Sequence, residues 1–77
     1  MTPDQCRKAR SLLGLTRFDL GIRAQCSSDT VAHFEEGRHQ LSARSRKVIV
    51  AAFEAAGVEF IAESDDCAGV RLRGEAG

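Results

Sequence analysis

Apolar positions recur every three or four residues as far as Ala56 and then begin to alternate with polar ones. Cys6, Ala9 and Leu13, joined by Arg10, share one helical face. Leu20 and Ala24 make a second stripe, Val31 and Phe34 a third, and Val48, Ile49, Ala52, Phe53 and Ala56 a fourth. Beyond Gly57 the runs VEFIA (58–62) and VRLR (70–73) alternate as half-buried strands do, with the acidic segment ESDDCAG (63–69) between them as a loop. The pattern predicts a mostly α chain of four helices followed by a C-terminal β-hairpin.

Capping residues place the ends. Thr2, Pro3 and Gln5 are a helix start in which Thr2 caps, Pro3 takes the first helical position and Gln5 completes a capping box; Gly14 stops that helix. Thr16, with Asp19 three residues on, opens a second helix over 17–24. The chain bends at Gln25-Cys26, Ser27 caps a third helix over about 28–36, and Gly37 supplies a left-handed stop. A polar loop, GRHQLS, leads to a fourth helix that begins between Ser42 and Ser45. This divides the chain into a helical module (1–57), a hairpin (58–73) and a flexible tail (74–77).

If Val31 and Phe34 face inward, the third helix turns Ser28, Asp29, His33 and, in part, Thr30 outward. These are short hydrogen-bonding groups, unlike the long charged side chains of an ordinary solvated face. A helix hairpin presenting such an edge is the helix-turn-helix of DNA readers. The net charge of zero argues against a polyanion partner only until the chain is divided. Residues 1–47 hold nine Lys/Arg against five Asp/Glu, and residues 48–77 hold two against six, a split of +4 and −4. Attraction to phosphate follows local charge rather than the total. Arg44, Arg46 and Lys47 crowd the start of the fourth helix, where the helix dipole favours acids, so they are either an anion-facing cluster or a solvated patch.

Arg10 is the odd member of an inward face. It either snorkels to water or pairs with an acid, and Glu35, on the inward-leaning side of the third helix, is the candidate partner. Phe18 and Ile22 lie beside the Leu20/Ala24 stripe, where they either pack against the first or fourth helix or form an apolar strip on the surface. Cys6 and Cys26 occupy helix-facing positions as small core side chains, and Cys67 falls in the polar loop as an exposed thiol. No Cys or His pair has zinc-ligand spacing, so no metal is expected. An isolated two-stranded hairpin is marginal in water. It needs the helices beneath it or the same hairpin from a second copy. The second arrangement would make Val58, Phe60, Val70 and Leu72 a dimer contact.

Together RKARSLLGLT, DLGIRAQCSSDTVAHFEEG and AAFEAAGVEF resemble the Cro/cI-type (XRE-family) helix-turn-helix regulators over about residues 3–61, and the added GVRLR resembles a short subgroup with a terminal hairpin. The resemblance implies a lambda-repressor-like fold. It implies base reading by Ser27, Ser28, Asp29, Thr30 and His33, phosphate contacts from Arg17, Arg38, Gln40 and Arg44, and an inward Arg10–Glu35 pair. Three departures stand out: Arg17 replaces a usual Gln, Gln25 replaces a turn Gly, and Asp29 brings a carboxylate to the reading edge. Asp29 would accept from a cytosine amino group, cap the helix, hold an Arg, or exclude wrong sequences.

The expectation is therefore a cytoplasmic, homodimeric DNA-binding transcriptional regulator, a repressor on an inverted-repeat operator in double-stranded DNA. His33 would strengthen binding when protonated. The alternative is an antitoxin or antiactivator whose helical module or hairpin holds another protein. No enzyme, cofactor or membrane association is expected: phosphate-cradling glycines, a nucleophile with a base in reach, and a long apolar run are all missing from the sequence.

Overall fold

In a computed structural model describing residues 1–61 and 69–72, four helices precede a two-stranded antiparallel hairpin: α1 (Pro3–Leu13), α2 (Arg17–Ala24), α3 (Ser28–Glu35), α4 (Ala43–Ala55), β1 (Val58–Ile61) and β2 (Gly69–Leu72). Each helix starts on a hydroxyl cap, because a side-chain oxygen there satisfies an amide with no intrahelical partner. Thr2 accepts from the Gln5 amide and Thr16 from the Asp19 amide, both as reciprocal capping boxes. Ser27 accepts from Asp29, and Ser42 from Ser45, so the fourth helix begins at the earlier of its two possible caps. Helix α3 ends at Glu35, one residue short of the expected stop, with Glu36 as its C-cap.

The α2–α3 connection is tight. Gln25 adopts the left-handed conformation (φ 57°) that a glycine would more readily supply. Directly opposite, the Cys26 amide donates to the Gly21 carbonyl at 2.8 Å. A Cβ on Gly21 would lie 2.7 Å from the Cys26 carbonyl oxygen, so this glycine allows the turn to sit against α2.

The core draws on every helix and on the first strand: Cys6, Ala9, Leu20, Ala24, Val31, Phe34, Ile49, Phe53 and Val58 are buried together. Strand β2 lies against α1 and β1 against α4. The register pairs Val58 with Leu72, Glu59 with Arg71, Phe60 with Val70 and Ile61 with Gly69. Alternation along the strands then directs Val58, Phe60, Val70 and Leu72 to the helices, where Phe60 meets Phe53 edge to face at 5.9 Å. The outer face carries the Glu59–Arg71 ion pair at 2.8 Å.

Of the four apolar side chains expected at a dimer contact, Val58 is buried and Phe60, Val70 and Leu72 are half-buried. They pack onto their own helices, and Val58 is completely buried within one chain. On the outer face Ile61 is exposed. Gln5 reinforces the docking: its side-chain amide donates to both the Ile61 and Gly69 carbonyls at 3.0 Å, while its oxygen accepts from Thr2. Cys67, most of the expected 63–69 loop, Arg73 and the 74–77 tail lie outside the described residues. No helix among the described residues is long and apolar enough to cross a membrane.

Candidate nucleic-acid interface

The third helix is short, and its two sides are sharply different. Val31, Phe34 and Glu35 are buried. At 100° per residue the opposite stripe is Asp29, His33 and Glu36, with Ser28 and Ala32 on one flank and Thr30 on the other. Asp29 and Glu36 are exposed, and Ser28, Thr30 and His33 are half-buried. Ser27 is exposed but its oxygen is engaged by the Asp29 amide at 3.0 Å, so at the reading edge it is chiefly a cap. Asp29 forms no ion pair among the described residues, which removes the option of its holding an arginine there.

Behind this edge is a buried carboxylate. Arg10 reaches Glu35 through Nε and Nη2, each at 2.7 Å to a different oxygen, and spends Nη1 on the Leu15 carbonyl at 3.0 Å. Arg10 thus pairs with Glu35 rather than snorkelling to water. The Cys6 thiol donates to the same carboxylate at 3.2 Å, and Arg7 caps the end of α3 by donating to the Glu35 carbonyl. Burial raises the Glu35 pKa, but hydrogen bonds from Arg10, Cys6 and Arg17 outweigh it and hold the carboxyl below the ordinary glutamate value. Burial, and then the neighbouring carboxylate, push the Cys6 thiol far up, so it is an unreactive core group.

Arg17, expected on a phosphate, is engaged by two carboxylates within the chain. Its Nε donates to Glu35 at 3.1 Å and its Nη1 to Glu36 at 3.3 Å. The cause is the direction of the α2 N-terminus, which aims the side chain across the end of α3. Arg17 nonetheless lines one groove with Phe18, Ser28, Asp29 and Ala32, so the start of α2 and the outward edge of α3 form a continuous surface.

At the same end of α3, Arg38 is exposed and pairs with Glu36 at 3.3 Å, and Gln40 is exposed. His39 brings its ring to 5.5 Å from that of His33. Arg44 is exposed beside the α2–α3 turn, where it lines a cleft with Gln25 and Cys26. The three cations at the start of α4 do not act alike: Arg44 and Lys47 form no ion pair among the described residues, but Arg46 donates to the Met1 carbonyl at 3.0 Å and lies over the Phe34 ring.

Phe18 and Ile22 take the surface option. They are 64% and 61% exposed, one turn apart on α2. Sequence reasoning missed Glu36 and the second role of Gln5, which holds the hairpin as well as capping α1. Glu36 follows Asp29 by seven residues, two helical turns, a spacing that marks it as part of the outward stripe. Gln5 precedes Ala9 by four, which places it on the inward face. No group of three or more His, Cys, Asp or Glu capable of holding a metal ion occurs among the described residues. No protein-family model matches the chain, and no curated protein does.

Proposed function

We propose that the chain is a sequence-specific DNA-binding regulator, a repressor acting as a homodimer on an inverted repeat. The observation that carries this reading is the outward edge of α3, where Ser28, Asp29, Thr30 and His33 offer short donors and acceptors between Arg17 and Arg38, which meet at Glu36 at the C-terminal end, and Arg44, which lies beside the α2–α3 turn at the other. A helix so furnished fits the width of the major groove, with side chains reaching base edges and the flanking guanidinium groups meeting phosphates. The likeness of the motifs to Cro/cI-type regulators supports the same role. Two copies would place their α3 helices about 34 Å apart, one helical turn of DNA. The chain would work in the cytoplasm, on the nucleoid, and the reading gives it no catalytic step, cofactor or metal.

Selection of bound duplexes from a random library by the purified full chain tests this. The expected product is an inverted repeat. Ser28→Ala with His33→Ala should relax its consensus, whereas Arg44→Ala should weaken all sites alike. Recovery of no preferred sequence, with binding indifferent to salt, would refute it.

A second reading rests on Phe18 and Ile22, whose exposure on α2 is that of a contact for another protein. In that case the partner complex would persist at high salt, and Ile22→Ser, outside the groove that Phe18 shares with Ser28 and Asp29, would abolish it without affecting DNA binding.

A further inference from the structure

Glu36 holds the two arginines nearest the reading edge. One carboxylate oxygen meets Arg17 Nη1 and the other meets Arg38 Nε, both at 3.3 Å. It does so from the C-cap of α3, where the negative end of the helix dipole disfavours an acid, so the helix gains nothing from its charge. Its place on the outward stripe with Asp29 and His33 directs it to the surface that a duplex would cover.

We propose that Glu36 is an internal substitute for a DNA phosphate, occupying Arg17 and Arg38 in the free protein and yielding them to the duplex on binding. This inference rests on the DNA-binding reading above. The two contacts are built for exchange. Both are longer than the roughly 2.7–2.9 Å of a strong charge-assisted bond, and much longer than the 2.7 Å contacts between Arg10 and Glu35. Both are open to water, with Arg38 69% and Glu36 40% exposed. Arg17 keeps its contact to the buried Glu35 when Glu36 lets go, so it stays aimed while one edge of its guanidinium turns to phosphate. Arg38 is left wholly free.

Phosphate binding at these positions is therefore a trade of one anion for another. The displaced carboxylate also remains beside the DNA backbone and is repelled by it. Glu36 thus weakens the sequence-independent part of binding, at specific and non-specific sites alike, while leaving the base-reading side chains untouched.

The test uses the full chain and a random-sequence 20-bp duplex, read by fluorescence anisotropy between about 50 and 300 mM salt. Glu36→Gln should bind about three- to tenfold tighter than the wild type near 0.1 M salt, with a log–log salt slope steeper by about one. Arg38→Gln is the comparison background. A Glu36→Gln gain that shrinks there to less than half its logarithmic size supports the exchange; a gain that keeps half or more reflects net charge alone and overturns it. Wild-type binding that Glu36→Gln leaves equal or weaker also overturns the exchange but spares the DNA reading. Absence of binding by either protein at about 50 mM salt overturns both. Circular dichroism melting confirms that each variant is folded.

Discussion

Arg10 and Glu35 meet as two forks, guanidinium against carboxylate, with both contacts at 2.7 Å and the Glu35 side chain fully enclosed. Such a pair is costly to break one partner at a time, because the survivor is left as an uncompensated buried charge. Glu35→Ala strands Arg10 and removes an acceptor from Cys6 and Arg17. Urea denaturation should show a loss of roughly 3–5 kcal/mol. Replacing the pair together, as Arg10→Met with Glu35→Leu, should cost clearly less. Equal losses in the two proteins would contradict the ion-pair account.

Acid should weaken the fold through the same carboxylate. The Glu35 pKa in the folded chain is below the unperturbed 4.5. The unfolded chain therefore takes up the proton first. The stabilisation is complete above about 4.5 and is lost as pH falls through the folded value. Carboxyl carbon NMR shifts should give Glu35 a midpoint below 4.5, with the melting temperature falling over the same range. A midpoint at or above 4.5 would overturn the assignment.

Gly21→Ala opposes two effects of known sign. Alanine favours the helix by about 1 kcal/mol. The new Cβ would stand 2.7 Å from the Cys26 carbonyl oxygen, and a backbone atom in a tight turn cannot step aside as a side chain would. Overpacking of this kind costs about 1–3 kcal/mol, so the net change should be destabilising. A neutral or stabilising result in thermal denaturation would show that the turn can move away from α2.

Gln5 ties the hairpin to α1. Gln5→Glu keeps the acceptor for Thr2 but sets a carboxylate against two carbonyl oxygens, and Gln5→Ala removes the donors outright. Either should cost roughly 1–3 kcal/mol, with amide exchange in β1 quickening more than exchange in α4. Unchanged protection of Val58–Ile61 would mean that the hairpin is held by its apolar face alone.

The elements and their limits were open to sequence reasoning because the information is local. A cap acts within three residues, as Thr2 does with Gln5 and Thr16 with Asp19, and the burial period of a helix or strand repeats within a few positions. The Arg10–Glu35 contact was also legible, since a charge on an inward face demands a partner and few acids face inward. The outward edge of α3 followed from its buried side by subtraction.

What remained was settled only where elements meet. Nothing near Arg17 in the chain shows that it points across the end of α3 to Glu35 and Glu36, because that depends on how α2 and α3 pack. The inward turn of Val58, Phe60, Val70 and Leu72 likewise depends on α1 and α4 lying beneath the hairpin, and Gln5 serves the hairpin as well as its own cap for the same reason. Local steric and hydrogen-bonding rules determined from sequence where each helix and strand begins and which side of it is apolar. Packing decided which polar groups are taken up within the molecule and which remain on its surface, because those partners lie tens of residues apart along the chain.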